Sequence, residues 1–207
     1  MKEIKLCLEK SINFVWFLGS AMFAGIVGIS SGLVYWYYGE GFGAVEPILI
    51  ATTPIIMSIG FNSIFGVQYL VQVNKTKAFT ISVVVGAIIN FVLNFILIPI
   101  YGGLGAALAS VVAETTIAVI QFTYLRKDVR DIQFLKNSWK PVFAGIVMFG
   151  VVKCLDIHMT KSIISTCIQI VAGVVIYLGI MYLCNTLKIN MEILLNYLRK
   201  TLIQVWE

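Results

Sequence analysis

Charged residues are scarce in this chain. Asp, Glu, Lys and Arg make up 12% of its 207 residues, whereas a soluble domain carries roughly 25%. Hydrophobic residues make up 59%, and the mean hydropathy is +0.94. So few charges cannot cover a surface that faces water. The composition therefore excludes an ordinary soluble domain and predicts that lipid surrounds most of the chain. For the same reason, the net charge of +5 does not indicate nucleic-acid binding.

Metal and redox motifs are also missing from the sequence. There is one histidine, His158, and the four cysteines form no CxxC pair and stand at no metal-ligand spacing from it. We interpret the cysteines as small apolar side chains. We expect no catalytic residue, no metal and no cofactor, and we predict that the protein is not an enzyme.

Long uncharged runs predict the fold class. The first run, 11–38, has 28 residues without a charge, too many for the core of a cleavable signal peptide, which has about 7–15. At about 20 residues per crossing, the chain is predicted to be an all-α, polytopic membrane bundle of about six helices. The predicted spans are 12–38, 47–72, 78–98, 103–125, 139–155 and 162–186. The fifth is the weakest, because Lys140 and Lys153 must both reach an interface.

The spans divide the chain into four segments. Residues 1–125 hold four spans, 126–138 form a basic loop, 139–186 hold two further spans, and 187–207 form a tail. In the tail, one helical face collects the apolar residues Met191, Leu194, Leu195, Leu198, Leu202 and Val205. This pattern predicts an amphipathic helix on the membrane surface, with a coiled-coil seam as the alternative.

The positive residues predict the orientation. Of the 15 Lys and Arg residues, thirteen lie in the N-terminal segment, the second loop, the fourth loop and the tail. Only Lys153 and Lys161 lie on the other side. Since positive residues are retained in the cytoplasm, both termini are predicted to be cytoplasmic, in a multi-pass protein of the cytoplasmic membrane. Asp156 and His158 then fall, with Lys161, on an outer loop too sparse to suggest catalysis.

Glu114 is the one acidic residue well inside a predicted span. It lies 11 residues past Gly103, roughly 16 Å deep in a hydrocarbon core about 30 Å thick. A carboxyl group costs several kcal/mol there unless it is paired, protonated or in a wet cavity. It is therefore predicted to face other helices or a cavity. Ser110 and Gln121 share its helical face.

The neighbouring span offers a matching polar face that includes Asn90 and Asn94. A tight turn near 101–102 joins the two spans as an antiparallel hairpin, which places Asn90 level with Glu114 and Asn94 level with Ser110. We predict that Asn90 hydrogen-bonds or nearly contacts Glu114. The face is either packing contact with a protonated Glu114, or part of a path for protons, ions or substrate.

Two further features concern helix contacts and polar ends. Gly28 and Gly32 form a GxxxG pair, which predicts close approach by another helix. Gln68 lies near the cytoplasmic end of the second span. It is either solvated at the interface or in contact with polar groups of a substrate.

Three stretches carry a resemblance to a known family. They read NFVLNFILIPIYGGLGAALASVVAE at 90–114, GVQYL at 66–70 followed by KTK at 75–77, and YGEGF at 38–42. Over about 12–125 the sequence resembles the polysaccharide-transporter family. These are Wzx-type flippases of lipid-linked oligosaccharides, within the superfamily that also holds multidrug antiporters.

The resemblance implies twelve to fourteen helices in two lobes, of which this chain would supply the last six. It implies a lipid-linked oligosaccharide as substrate, membrane lipids as surroundings and a first lobe or partner subunit that this chain lacks. The first helix has Ser20-Ala21 where the family often has a proline, so a kink is not expected there.

Four functions remain to be weighed. The first is the C-terminal portion of a flippase that exports polysaccharide or O-antigen repeat units by alternating access. The second is a fragment of a cation-coupled multidrug antiporter, although one deep carboxylate is thin support for binding cations. The third, a membrane enzyme, is disfavoured because the predicted outer loops are short. The fourth is a truncated, non-transporting remnant. Candidate path residues are Glu114, Asn90, Asn94, Ser110, Gln121 and Gln68.

Overall fold

The computed structural model describes residues 2–129, 132 and 134–184. Within that part of the chain, seven α-helices and one π-helical segment form, and no strand does. The helices are α1 (Lys2–Tyr38), α2 (Val45–Thr52), α3 (Ile55–Asn62), the π-helical segment (Ser63–Val71), α4 (Thr76–Tyr101), α5 (Gly103–Asp128), α6 (Trp139–His158) and α7 (Ile163–Leu183). The predicted amphipathic tail at 187–207 lies outside the described residues.

In the part of the chain that the structure describes, six helical stretches are long and apolar enough to cross a membrane. Five are single α-helices, and the sixth, Val45–Val71, combines α2, α3 and the π-helical segment. The predicted all-α, polytopic membrane bundle is confirmed. The weakest predicted span is present as α6, which is 20 residues long.

The second span is broken where a proline removes a backbone donor. Pro54 begins the first turn of α3, so its missing N–H interrupts the ladder that would otherwise join α2 to α3. Next to this break, the hydroxyls of Thr52 and Thr53 donate to the carbonyls of Ile48 and Leu49 at 2.7 and 2.8 Å. These bonds give the threonine hydroxyls a hydrogen-bond partner inside an apolar span.

The predicted span 78–98 stopped before Pro99, but the helix continues past this proline. The helix α4 continues to Tyr101, and the N–H of Gly102 still bonds the carbonyl of Ile98 at 2.8 Å. Pro99 removes only the ladder bond that its own N–H would have made, and transmembrane helices tolerate such a loss.

The first helix, α1, lies between two groups of helices. It packs against α2 and α3 on one side and against α6 and α7 on the other, while α4 and α5 form a hairpin with each other. One apolar core joins the first part of α1 to the π-helical segment, α4 and α5. A second core joins α1 to α6 and α7 and includes Ala24, Ala144, Met148 and Tyr177.

The loop between α5 and α6 is more than a basic connection. Phe134 inserts its ring among Trp16, Phe61, Phe65 and Phe122, with ring centroids 5.0–6.1 Å away. The indole N–H of Trp16 also donates to the carbonyl of Phe134 at 3.1 Å. These contacts tie the loop to α1, α3, the π-helical segment and α5.

The predicted outer loop at 156–161 is wrong in part. The helix α6 extends through His158, and Asp156 is only 7% exposed. Its carboxylate accepts a hydrogen bond from the Ser31 hydroxyl at 2.9 Å and pairs with Lys153 at 3.3 Å. Ser31 on α1 and Lys153, one turn earlier on α6, stabilise the buried carboxylate. The spacing of residues in the sequence did not indicate these partners.

The predicted close approach at the GxxxG pair is present between α1 and α6. A Cβ added at Gly28 would lie 2.8 Å from Cγ1 of Val152, and one at Gly32 would lie 3.0 Å from Oδ1 of Asp156. Side chains at these positions would push α6 away. The two glycines therefore set the distance between the helices.

Replacing Gly28 by leucine should lower the stability of the protein by about 1–3 kcal/mol, because the added atoms must displace Val152 in a packed interface. Thermal unfolding of purified protein in detergent micelles measures this. The matched control is Gly179→Leu in α7, where an added Cβ meets nothing within 4 Å. Equal losses for both variants would contradict the close-contact interpretation.

Candidate functional site

Glu114 pairs with a residue of the second span. Its Oε2 accepts a hydrogen bond from Nδ2 of Asn62 at 2.6 Å, and the same amide group also donates to the Glu114 backbone carbonyl at 3.2 Å. Asn62 ends α3, and Glu114 lies near the middle of α5. The prediction that Glu114 faces another helix is confirmed, but the helix is α3.

The predicted hydrogen bond between Asn90 and Glu114 is wrong. Asn90 donates to the Ser110 hydroxyl at 3.4 Å, and Asn94 donates to Oδ1 of Asn90 at 2.8 Å. The helix α5 contacts both α3 and α4, so a side chain on its face can turn to either neighbour. Glu114 turns to α3, while Ser110, one turn away, meets α4.

The register of the α4–α5 hairpin agrees with the predicted turn. Gln121 donates to the Ser82 hydroxyl at 3.0 Å, and these two residues are equidistant from 101–102. Gln121 is 1% exposed. It therefore belongs to the buried contact between α4 and α5.

A further polar contact extends the site along α3 and α5. The hydroxyls of Ser58 and Thr115 lie 2.9 Å apart, one turn from Asn62 and next to Glu114 respectively. We call the set on the three helices the polar seam. It consists of Ser58, Asn62, Asn90, Asn94, Ser110, Glu114 and Thr115. Gln68 is exposed on the π-helical segment and forms none of these hydrogen bonds.

Two acceptor atoms in the polar seam have no partner among the described residues. They are Oδ1 of Asn62 and Oδ1 of Asn94, and both are buried atoms of half-buried residues. A buried acceptor without a donor costs about 1–3 kcal/mol. Both oxygens are covered by neighbouring atoms, so a donor from outside could reach them only if the helices around the polar seam moved apart.

Sequence reasoning did not include Asn62, Ser58 or Thr115 in the site. One signal was available. The spans that hold Asn62 and Glu114 run in the same direction, and each residue lies within a few positions of its span's middle. A comparison of how far each residue lies along its span could have paired them. Such a comparison cannot tell which of several residues at the same level face each other.

A double-mutant cycle tests the observed pairing. We expect Asn62→Leu and Glu114→Leu to be coupled by about 0.5–3 kcal/mol in thermal stability, as is usual for residues in direct contact. The same cycle with Asn90→Leu and Glu114→Leu is the control and should give a smaller coupling. A larger coupling for the control pair would restore the pairing that was predicted from the sequence.

Comparisons of the chain with protein-family models, with curated proteins and with solved structures find no match.

Proposed function

We propose that this chain is the C-terminal portion of a membrane flippase that exports a lipid-linked oligosaccharide across the cytoplasmic membrane by alternating access. The observation that carries the proposal is the polar seam. It brings amide, hydroxyl and carboxyl groups of three helices together inside spans that are otherwise apolar. The resemblance of 12–125 to polysaccharide transporters supports the same function.

The chemistry of the polar seam suits sugars better than cations. Six of its seven side chains are neutral amides or hydroxyls, which hydrogen-bond sugar hydroxyls as donors or acceptors. A cation-coupled multidrug antiporter, the second candidate, rests on Glu114 alone. The last candidate, a truncated remnant that does not transport, does not explain why the polar seam lies inside the spans.

A second lobe is part of this proposal. Glu114, Asn90 and Asn94 are half-buried in this chain rather than closed off, so groups from outside can still reach them. Secondary transporters place the substrate site between two lobes near the middle of the bilayer. We therefore expect a first lobe or partner subunit to face the polar seam across the substrate path, with membrane lipids around the remaining surface.

Complementation tests the function. The chain should be expressed together with the N-terminal lobe of a polysaccharide flippase in cells that lack their own flippase, and surface polysaccharide should be measured. We expect export to return with both parts and to stay absent with either part alone. Export that fails to return although both parts reach the membrane would remove support for the flippase function.

Cysteine labelling tests the orientation. Both Lys136 and Lys161 are exposed, and the charge distribution predicts that they lie on opposite sides of the membrane. In a variant without the four native cysteines, Lys161→Cys should react with a membrane-impermeant maleimide added to intact cells. Lys136→Cys should react only after the cells are opened. The reverse pattern would contradict cytoplasmic termini.

A further inference from the structure

The segment that joins α5 to α6 exposes a surplus of positive charge. Arg126, Lys127 and Lys136 are exposed, and none of them forms an ion pair with another described residue. Asp128, the acidic residue beside them, is already paired with Lys75, the residue before α4. The three positive charges are therefore available to an anionic partner.

Both ends of this segment lie at the level of the lipid headgroups. The candidate span of α5 ends at Asp128 and that of α6 begins at Trp139, and headgroups lie just beyond the ends of spans. Aromatic side chains are typical of that level. At one end, Nζ of Lys127 lies 5.5 Å from the ring centre of Tyr124, and at the other, Nζ of Lys140 lies 6.0 Å from that of Trp139. The basic side chains therefore emerge among headgroups.

Aromatic packing fixes where the segment lies. The ring of Phe134 contacts that of Phe122 on α5, with centroids 5.2 Å apart, and the indole N–H of Trp16 donates to its carbonyl at 3.1 Å. Arg126 follows Phe122 by one helical turn, and Lys136 follows Phe134 by two residues. These contacts hold Lys136 near the end of α5. Since the segment is already in place, it loses little conformational entropy when it binds a partner.

The charge and the position of this surface together select its partner. Basic residues next to a span attract anionic headgroups, and each Lys or Arg near the surface contributes a factor of about five to the affinity. An anionic phospholipid is present at this level in the membrane itself. A soluble anion would have to be drawn from water, where salt screens the attraction between exposed charges.

We propose that Arg126, Lys127 and Lys136 form a surface, the basic strap, that binds the headgroups of anionic phospholipids. Arg130 and Asp131, one residue of each sign in the same segment, lie outside the described residues and are not part of it. The basic strap lies beyond the ends of the spans, away from the polar seam. Its partner is a lipid of the bilayer, so the proposal does not depend on the proposed transport function.

Native mass spectrometry of the purified full-length protein tests the basic strap. The protein in micelles is mixed with equal amounts of dioleoylphosphatidylglycerol, which is anionic, and dioleoylphosphatidylcholine, which is zwitterionic, and the ratio of the two bound lipids is measured. We expect the anionic lipid to be preferred. In the triple variant Arg126→Gln/Lys127→Gln/Lys136→Gln, this preference should fall about fivefold or more, because one basic residue near headgroups already contributes roughly that factor.

A charge-matched variant separates the basic strap from overall charge. Lys10, Lys77 and Lys161 are also exposed, and replacing all three by Gln removes the same charge elsewhere in the chain. The preference should then change less than about twofold, since screened charges away from the bound lipid contribute little. Equal losses in the two triple variants would show attraction by net charge alone and would overturn the proposal. Equal binding of the two lipids by the unsubstituted protein would also overturn it.

Two further measurements keep every charge in place. Phe134→Ala removes the ring that contacts Phe122, and it should lower the preference about twofold or more, because the segment must then be ordered when it binds. An unchanged preference in the folded variant would contradict the role of this anchor. Inorganic phosphate, added to the unsubstituted protein at constant ionic strength, should leave the anionic lipid bound. Displacement by phosphate would show a site for free anions and would refute a lipid surface.

Discussion

Replacing Gly105 by valine is expected to open the α4–α5 hairpin and to destabilise the protein by about 3 kcal/mol or more, at the upper end of overpacking effects. A Cβ at this position would overlap the backbone carbonyl of Leu97 and lie 3.0 Å from the backbone N of Ile98. Backbone atoms cannot move aside as the end of a flexible side chain can. The two helices must therefore separate or shift.

The measurement is thermal unfolding in micelles, together with protease sensitivity at the turn. Gly150→Val in α6 is the control, because it makes the same change in a helix where an added Cβ meets nothing within 4 Å. Since valine has a slightly higher helix propensity than glycine, this control should unfold within about 1 kcal/mol of the unsubstituted protein. If both variants unfolded at the same temperature, the close contact between α4 and α5 would be disproved.

Replacing Glu114 by leucine is expected to lower export roughly tenfold or more in the reconstituted two-lobe system. The change removes the acceptor at 2.6 Å from Asn62 and leaves that amide without its side-chain partner inside a span. One factor of ten corresponds to about 1.4 kcal/mol in the barrier, which is within the cost of one unpaired polar group. Surface polysaccharide, corrected for the amount of protein in the membrane, gives the effect.

Glu114→Gln separates hydrogen bonding from charge. Its side-chain oxygen can still accept from Asn62, but it cannot ionise. If the polar seam guides sugars through neutral hydrogen bonds, Gln should retain most of the export that Leu loses. If Gln is as inactive as Leu although both variants fold, the carboxylate itself is required, which favours the cation-coupled alternative.

Hydropathy was sufficient to predict six spans. Burying the polar backbone in lipid requires complete helices of apolar side chains, and such runs can be read directly from composition. The position of Glu114 near the middle of its span and the close approach at Gly28 and Gly32 could also be predicted, because both follow from helical spacing along one element. The orientation and the exported substrate remain predictions from the charge distribution and from the resemblance.

Partners across helices were decided only by the tertiary structure. Glu114 bonds Asn62 rather than Asn90, and Asp156 of α6 accepts a hydrogen bond from Ser31 of α1. Within the described residues, Oε1 of Gln169 has no partner. Each outcome depends on how helices rotate about their axes and which neighbour they touch. That rotation is set by the shapes of interlocking side chains, whereas a hydropathy pattern records only which residues prefer lipid to water. The sequence alone therefore determined that Glu114 lies near the middle of its span and faces protein, and the packing of α5 against α3 decided which residue it meets.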